Sequence, residues 1–237
     1  MKANQVEYLR RYTDITALTY LLTERKITLL DPQSWDDKND SQYLSFYREK
    51  KCLKTVLALC FSQGTETYHH WRVFAPGSGG ICISFNKQEL VKYLSKNENL
   101  QMKPVTYLTL KAIRNKSLTV DQLPFVKRYA FHHENEFRII YNSQSKKYKK
   151  LDIDIKLSLI ERIILSPWMN PDLFTSIKDT LRKINGCSKL KISLSTLINN
   201  QEWKDLGEAA VEKIEKIQGN RKKILKFELK GGLFKGI

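Results

Sequence analysis

Apolar and polar positions alternate along the chain in short blocks, each the length of one helix or strand. After Thr13-Asp14, apolar residues recur at Ile15, Leu18, Leu21 and Leu22, the spacing of one face of a capped helix. Ile27 to Leu30 reads as a short strand ended by Asp31-Pro32. Polar residues Ser34 to Ser41 read as a loop, and Gln42 to Lys51 as a helix. Val56 to Phe61 has the unbroken apolar character of a buried strand ending at Ser62. A link containing Gly, Thr and Tyr then leads to His69, His70 and Trp71. Pro76 to Gly80 is a turn before the strand Ile81 to Phe85. Lys87 to Ser95 reads as a helix, Met102 to Tyr107 as a strand, and the region around Val120 to Tyr129 as a helix. Glu136 to Tyr141 is a strand by its β-branched and aromatic content. Strands at Ile160 to Leu165 and Leu190 to Leu194 flank a helix from Pro171 to Asn185, and a charged helix at Glu208 to Ile217 precedes a basic tail.

Helices and strands are interspersed without a strict βαβ rhythm. That predicts an α+β fold with a mixed, mainly antiparallel sheet and flanking helices, not a doubly wound sheet. The expected organisation is one domain over residues 1–200, with residues 201–237 as a basic C-terminal helix and tail.

Composition narrows the picture. With 41% hydrophobic and 28% charged residues the chain can bury a core, and global disorder is not expected. No stretch approaches the roughly 18 apolar residues of a membrane span, and MKANQVEYLRRY has no apolar signal region. A soluble cytoplasmic protein without a membrane partner is expected. Cys52, Cys60, Cys82 and Cys187 form no CxxC pair, so neither a disulfide framework nor a zinc knuckle is indicated. The net charge of +16 attracts polyanions, which points to nucleic acid, RNA or DNA, as partner. The excess concentrates at Lys146, Lys147, Lys149 and Lys150, and again near the C-terminus at Arg221, Lys222 and Lys223.

Few residue groups could carry chemistry. The Gly-rich turn is followed by a strand, so it reads as a hairpin turn and not a phosphate loop. His69-His70 and His132-His133 are adjacent pairs whose members diverge, and no metal site is expected from them. Glu134 and Glu136 are spaced i, i+2 at a strand entrance and can share one face, with Arg138 on the same alternation. Repulsion between two such carboxylates raises one pKa. A solvated strand end with a Glu–Arg pair is the plainer alternative.

The segments VLALCFS, Trp71, the Gly-rich turn with GICISF, VTY and KRYAFHHENEFRII resemble the prokaryotic domain of unknown function 2971 family. Arg11-Tyr12 resembles its opening, Asn39-Asp40 its ND position and ISLSTL (residues 192–197) its closing strand. The order of Arg, a strand-end Ser and Glu-x-Glu is also similar to the R-S-E pattern of ADP-ribosyltransferases. That resemblance implies an ADP-ribosyltransferase-like fold and NAD as substrate. It implies that Arg11 or Arg10 holds an NAD phosphate, that Ser62 orders the ribose and that Glu136 is catalytic. Glu134 would orient or deprotonate the acceptor, and Tyr68 or Trp71 would stack on nicotinamide. The function implied is transfer to nucleic acid by a toxin or phage-defence effector that a neutralising protein partner would hold in check. Two rival readings remain open on the residues. One is a non-catalytic nucleic-acid-binding module that uses the eleven tyrosines. The other is a nuclease whose Asp36, Asp37, Asp40 and Glu pair bind Mg²⁺.

Overall fold

A computed structural model describes the backbone of residues 7–231 and the side chains of residues 7–218. Strand β1 (Tyr8–Asp14) passes directly into helix α1 (Ile15–Glu24), where the Asp14 carboxylate accepts the Ala17 amide at 2.8 Å. There follow β2 (Lys26–Leu30), α2 (Lys38–Lys50), β3 (Thr55–Ser62), α3 (Tyr68–Phe74) and β4 (Gly80–Asn86). Next come α4 (Lys87–Leu94), β5 (Leu100–Pro104), β6 (Thr106–Leu108), α5 (Leu110–Arg114), β7 (Val126–Arg128) and β8 (Glu136–Ser143). The last are β9 (Lys150–Asp154), β10 (Ile160–Leu165), α6 (Pro171–Lys183), β11 (Ile192–Leu194) and α7 (Gln201–Gly231). Helices and a mainly antiparallel sheet make this the α+β fold expected.

Among the described residues nine strands share one sheet, in the path β11-β10-β4-β1-β3-β2-β9, with β8 joining β3 to β5. Of the strand pairs described within it, β10 and β11 alone run parallel. The second sheet pairs β6 and β7, also parallel. Strand β3 is the branch point. Along one edge it pairs with β8 over its whole length, from Thr55 to Ser62. Along the other, β1 meets it at Ser62 and β2 meets it at Ala58. The sheet therefore splits between β1 and β2.

Alternation along the strands gives the sheet two different faces. Leu9, Leu57, Leu59, Phe61, Ile83, Phe137 and Ile139 bury in the main core, against Leu18, Leu21 and Leu22 of α1 and Leu90 and Leu94 of α4. The opposite face carries two smaller apolar clusters. One joins Leu44 and Tyr47 of α2 to Val56, Ala58, Phe125 and Ile140. The other joins Trp71 and Ala75 to Cys82 and Ile164. Buried polar residues occupy the same face: Ser62, Ser84, Glu136 and Arg138. The turn before β4 is tight because a Cβ at Gly80 would lie 2.1 Å from the Ala75 carbonyl oxygen.

Several local expectations are corrected. Helix α2 starts at Lys38, not Gln42, because Asp37 accepts the amides of Asn39 and Asp40. Residues 68–74 form a helix because Thr67 caps it through the His70 amide. The strand expected at Met102–Tyr107 breaks at Pro104 into β5 and β6, and Val105 turns its amide to the Glu136 carbonyl at 2.9 Å. The helix expected around Val120–Tyr129 is instead a 3₁₀ segment (Val120–Phe125) containing Pro124, then β7, then a second 3₁₀ segment (Tyr129–Glu134). Strands β1 and β9 lacked a legible pattern. β1 carries two arginines, and β9 begins at Lys150, inside the lysine tract.

The chain divides into two compact units, residues 1–195 and 196–237. The second is built on α7, which spans the region expected as a short helix and basic tail. Arg221, Lys222 and Lys223 fall on this helix, and their side chains lie outside the described residues.

Candidate active site

The polar centre of the second face floors a cavity of about 450 Å³, within the range that small-molecule sites occupy. Arg10, Arg11, Ser62, Glu134 and Glu136 all line it, together with Asp40, Cys60 and Lys127. Trp35, Val73, Phe74 and Phe131 supply apolar wall. Five residues singled out from the sequence thus meet at one place, though they span 127 positions from Arg10 to Glu136. Sheet register explains three of them. Arg10 is the cross-strand partner of Ser62, and Ser62 is the partner of Glu136. The three stand side by side on one face.

Glu134 reaches the same cavity by another device. It closes the second 3₁₀ segment, and Asn135 follows it in the left-handed conformation (φ 43°). Asn135 is among the residue types that adopt this conformation most readily. The kink directs both carboxylates inward, so the shared face arises from a turn and not from strand alternation.

Charge pairing holds the floor in place. Arg138 is fully buried, and its guanidinium grips Glu136 (2.7 and 2.8 Å) and Asp40 (3.0 and 2.8 Å), with a further bond to the Pro124 carbonyl at 2.7 Å. Lys127 lies 2.6 Å from Glu134, 3.5 Å from Glu136 and 3.6 Å from Asp40. Three carboxylates therefore face two cations in a dry setting. The two glutamates part company as a result. Burial pushes Glu136 up, but the Arg138 charge with its hydrogen bonds, and Lys127, outweigh it and hold the carboxyl at about 2. Burial raises Glu134 and Lys127 only partly offsets it, while Glu136 and Asp40 add repulsion. Asp40 is raised chiefly by burial, against the pull of Arg138. Asp40 and the Glu pair are grouped from the sequence only as possible Mg²⁺ ligands, and Arg138 only as a partner of the glutamates; the structure adds that Arg138 bridges Glu136 to Asp40.

The opposite wall is cationic. Arg10 donates to the Gly64 carbonyl at 2.6 Å. Arg11 is half-buried, and among the described residues its guanidinium has no hydrogen-bond or ion-pair partner. Burial lowers its pKa. Arg11 also borders a groove of about 390 Å³ that contains Lys26 and Lys150, so it stands where the sheet splits. The two arginines do not exclude one another from the cavity, as strict alternation predicts, because β1 and β3 are paired only at Arg10.

The remaining candidates lie elsewhere. Trp71 is fully buried, donates its indole N–H to Glu66 at 2.7 Å and packs edge-on to Tyr12, so it has no free face for a ligand. Tyr68 is exposed and stands against Trp168 and Arg72, outside the cavity lining. Lys146, Lys147, Lys149 and Lys150 are exposed around the β8–β9 connection, and Lys150 pairs with Asp152 at 3.0 Å. Among the described residues no group of three or more His, Cys, Asp or Glu side chains is placed to hold a metal ion. No helix there is long and apolar enough to cross a membrane.

Residues 70–139 match the family described as protein of unknown function (DUF2971). The matched segment runs from His70 through Lys127, Glu134 and Glu136 to Arg138, and so contains most of the buried charge cluster. It covers Trp71, the Gly-rich turn with GICISF, VTY and nearly all of KRYAFHHENEFRII, while VLALCFS, Arg11-Tyr12, Asn39-Asp40 and ISLSTL lie outside it. No curated protein matches the chain. A solved structure, Thermus sp. 2.9 DarT in complex with NAD+, is similar at 10% identity and a TM-score of 0.40, covering 79% of this chain and 94% of that one. A likeness this loose assigns nothing to individual residues.

Proposed function

We propose that the protein is an NAD-dependent ADP-ribosyltransferase that modifies nucleic acid. The observation that carries this reading is the cross-strand row Arg10–Ser62–Glu136 on the wall of one cavity. The unpartnered Arg11 beside Arg10 suits a diphosphate, whose oxygens a guanidinium fork matches. Ser62 suits the ribose. Glu136 stays ionised across the physiological range and stabilises positive charge as it develops on the ribose. The ribose–nicotinamide bond breaks with its electron pair leaving on nicotinamide, and an acceptor nitrogen or oxygen forms the new bond to the same carbon. Glu134, whose pKa is raised, suits receipt of the acceptor's proton. Two neighbouring carboxylates pushed in opposite directions is the usual mark of divided roles. Asp40 and Arg138 fix Glu136 in place without entering the cavity chemistry.

The net charge of +16 favours nucleic acid over protein as acceptor. Such an enzyme would arrest growth as a toxin or defence effector, and a neutralising protein partner fits that role.

The test is incubation with labelled NAD and, separately, total RNA, DNA and protein, with Glu136→Gln alongside. Label should enter a nucleic-acid fraction, and the variant should lose about 100-fold or more of the rate while remaining folded by circular dichroism at the assay temperature. Salt-dependent nucleic-acid binding without label transfer would leave a binding module. Cleavage abolished by EDTA would point to a nuclease.

A further inference from the structure

His70 is a buried residue outside the proposed reaction scheme, yet it touches the site. Its ring lies between Tyr12 (centroids 5.1 Å apart, 12° between planes) and Phe74 (6.2 Å, 29°). Nδ1 is 2.7 Å from the Thr67 hydroxyl, and Nε2 is 3.1 Å from Ser62 Oγ and 3.3 Å from the Glu134 carbonyl oxygen. We infer that His70 fixes Ser62 as a hydrogen-bond donor into the cavity, so that the ligand atom seated on Ser62 is an acceptor oxygen.

The inference follows from counting donors. A carbonyl oxygen only accepts, so the ring nitrogen facing Glu134 must carry a proton. Were it bare, two lone pairs would face each other in a buried setting. Nε2–H therefore donates towards both Ser62 Oγ and the Glu134 carbonyl. Thr67 Oγ already accepts the His70 amide at 3.2 Å, and its own proton is free to satisfy Nδ1. Ser62 Oγ accepts a second bond from the Gly64 amide at 3.2 Å. Both of its lone pairs are then used, and only its proton remains to offer. Ser62 lines the cavity, and with Nε2 protonated its hydroxyl has no hydrogen bond to a protein acceptor among the described residues. A carbonyl, ether or phosphate oxygen fits there, and a donor group does not. Within the proposed function the oxygen belongs to NAD; that identity rests on the proposal, whereas the hydroxyl's polarity does not.

In the full-length protein with ¹⁵N-labelled histidine, ring correlations at pH 7 should show His70 neutral with its proton on Nε2. A proton on Nδ1 would let Ser62 donate to the ring and would overturn the inference. Titration calorimetry with NAD supplies the second readout. Ser62→Ala and His70→Leu should each weaken binding about tenfold, and the double variant should be no weaker than either. His70→Gln, which keeps an N–H donor, should recover most of the loss. Additive losses, or no recovery by Gln, would reduce His70 to packing. If the unaltered protein does not bind NAD, the proposed function fails, and the tautomer alone decides the polarity of Ser62.

Discussion

On β3, Leu57, Leu59 and Phe61 enter the main core, while Ala58, Cys60 and Ser62 face α2, α3 and the cavity. The same strand thus serves two environments by parity alone. On the first face only apolar area matters, and neighbours of similar volume can substitute for one another. On the second, a short run of polar positions is wedged between two apolar clusters, and each charge there depends on a named partner. Burial is nearly as complete in both, since Leu57 and Arg138 are both 0% exposed. What differs is how failure occurs. Loss of a core side chain leaves a cavity, and loss of one ion leaves its partners charged and dry.

The comparison breaks most sharply at Arg138. Arg138→Met strands Asp40 and Glu136 together, and urea unfolding at pH 7 should record a loss of about 3–5 kcal/mol. A loss below about 1 kcal/mol would mean that Lys127 alone suffices to hold the carboxylates. Leu57→Ala on the other face should cost about 2–5 kcal/mol by cavity formation. Its effect should be independent of pH, unlike that of Arg138→Met.

Acid sharpens the contrast further. Glu136 has its folded pKa depressed to about 2, below the unfolded glutamate value of about 4.3. Its contribution is therefore present above that unfolded value and disappears as pH falls towards 2. Asp40 and Glu134 are raised and act in the opposite sense. Stability measured from pH 6 to pH 2 should thus fall less steeply in Glu136→Gln than in the unaltered protein. An equal slope would show that Glu136 is not the stabilising carboxylate.

The smallest effect is expected at Glu134. The fold already disfavours its charge, and Lys127 keeps Glu136 and Asp40 within 3.6 Å. Glu134→Gln should change stability by no more than about 1 kcal/mol in either direction, while label transfer to the acceptor falls. A large loss of stability would make Glu134 a structural ion, not a reactive one.

Much of this could be read in advance, and the failures have physical causes. The Glu134/Glu136 pair, Ser62 at a strand end and the arginines of the opening segment were recognisable as residue types in order. Trp71 was a candidate for ligand stacking because an indole suits either role, and only its full burial against Tyr12 decides between them. The lysine tracts drew attention by density, yet those described lie outside the cavity, because charge runs report solvent exposure before function. No role was legible for His70 in the sequence, and its bond to Ser62 is a contact made by the α3 helix that its Thr67 cap creates. Arg138 and Asp40 are 98 residues apart, and no local pattern announces a salt bridge across that distance.

Local periodicity and turn residues were enough for the α+β class, the cap of α1, most strand positions and the residue types available for chemistry, because these depend only on neighbours along the chain. The tertiary structure decided which of them meet. Strand β3 receives β1 at Ser62, β2 at Ala58 and β8 throughout, and this branching opens the cavity and aligns Arg10, Ser62 and Glu136. Register between distant strands is set by the packing of whole faces, which no stretch of sequence contains alone.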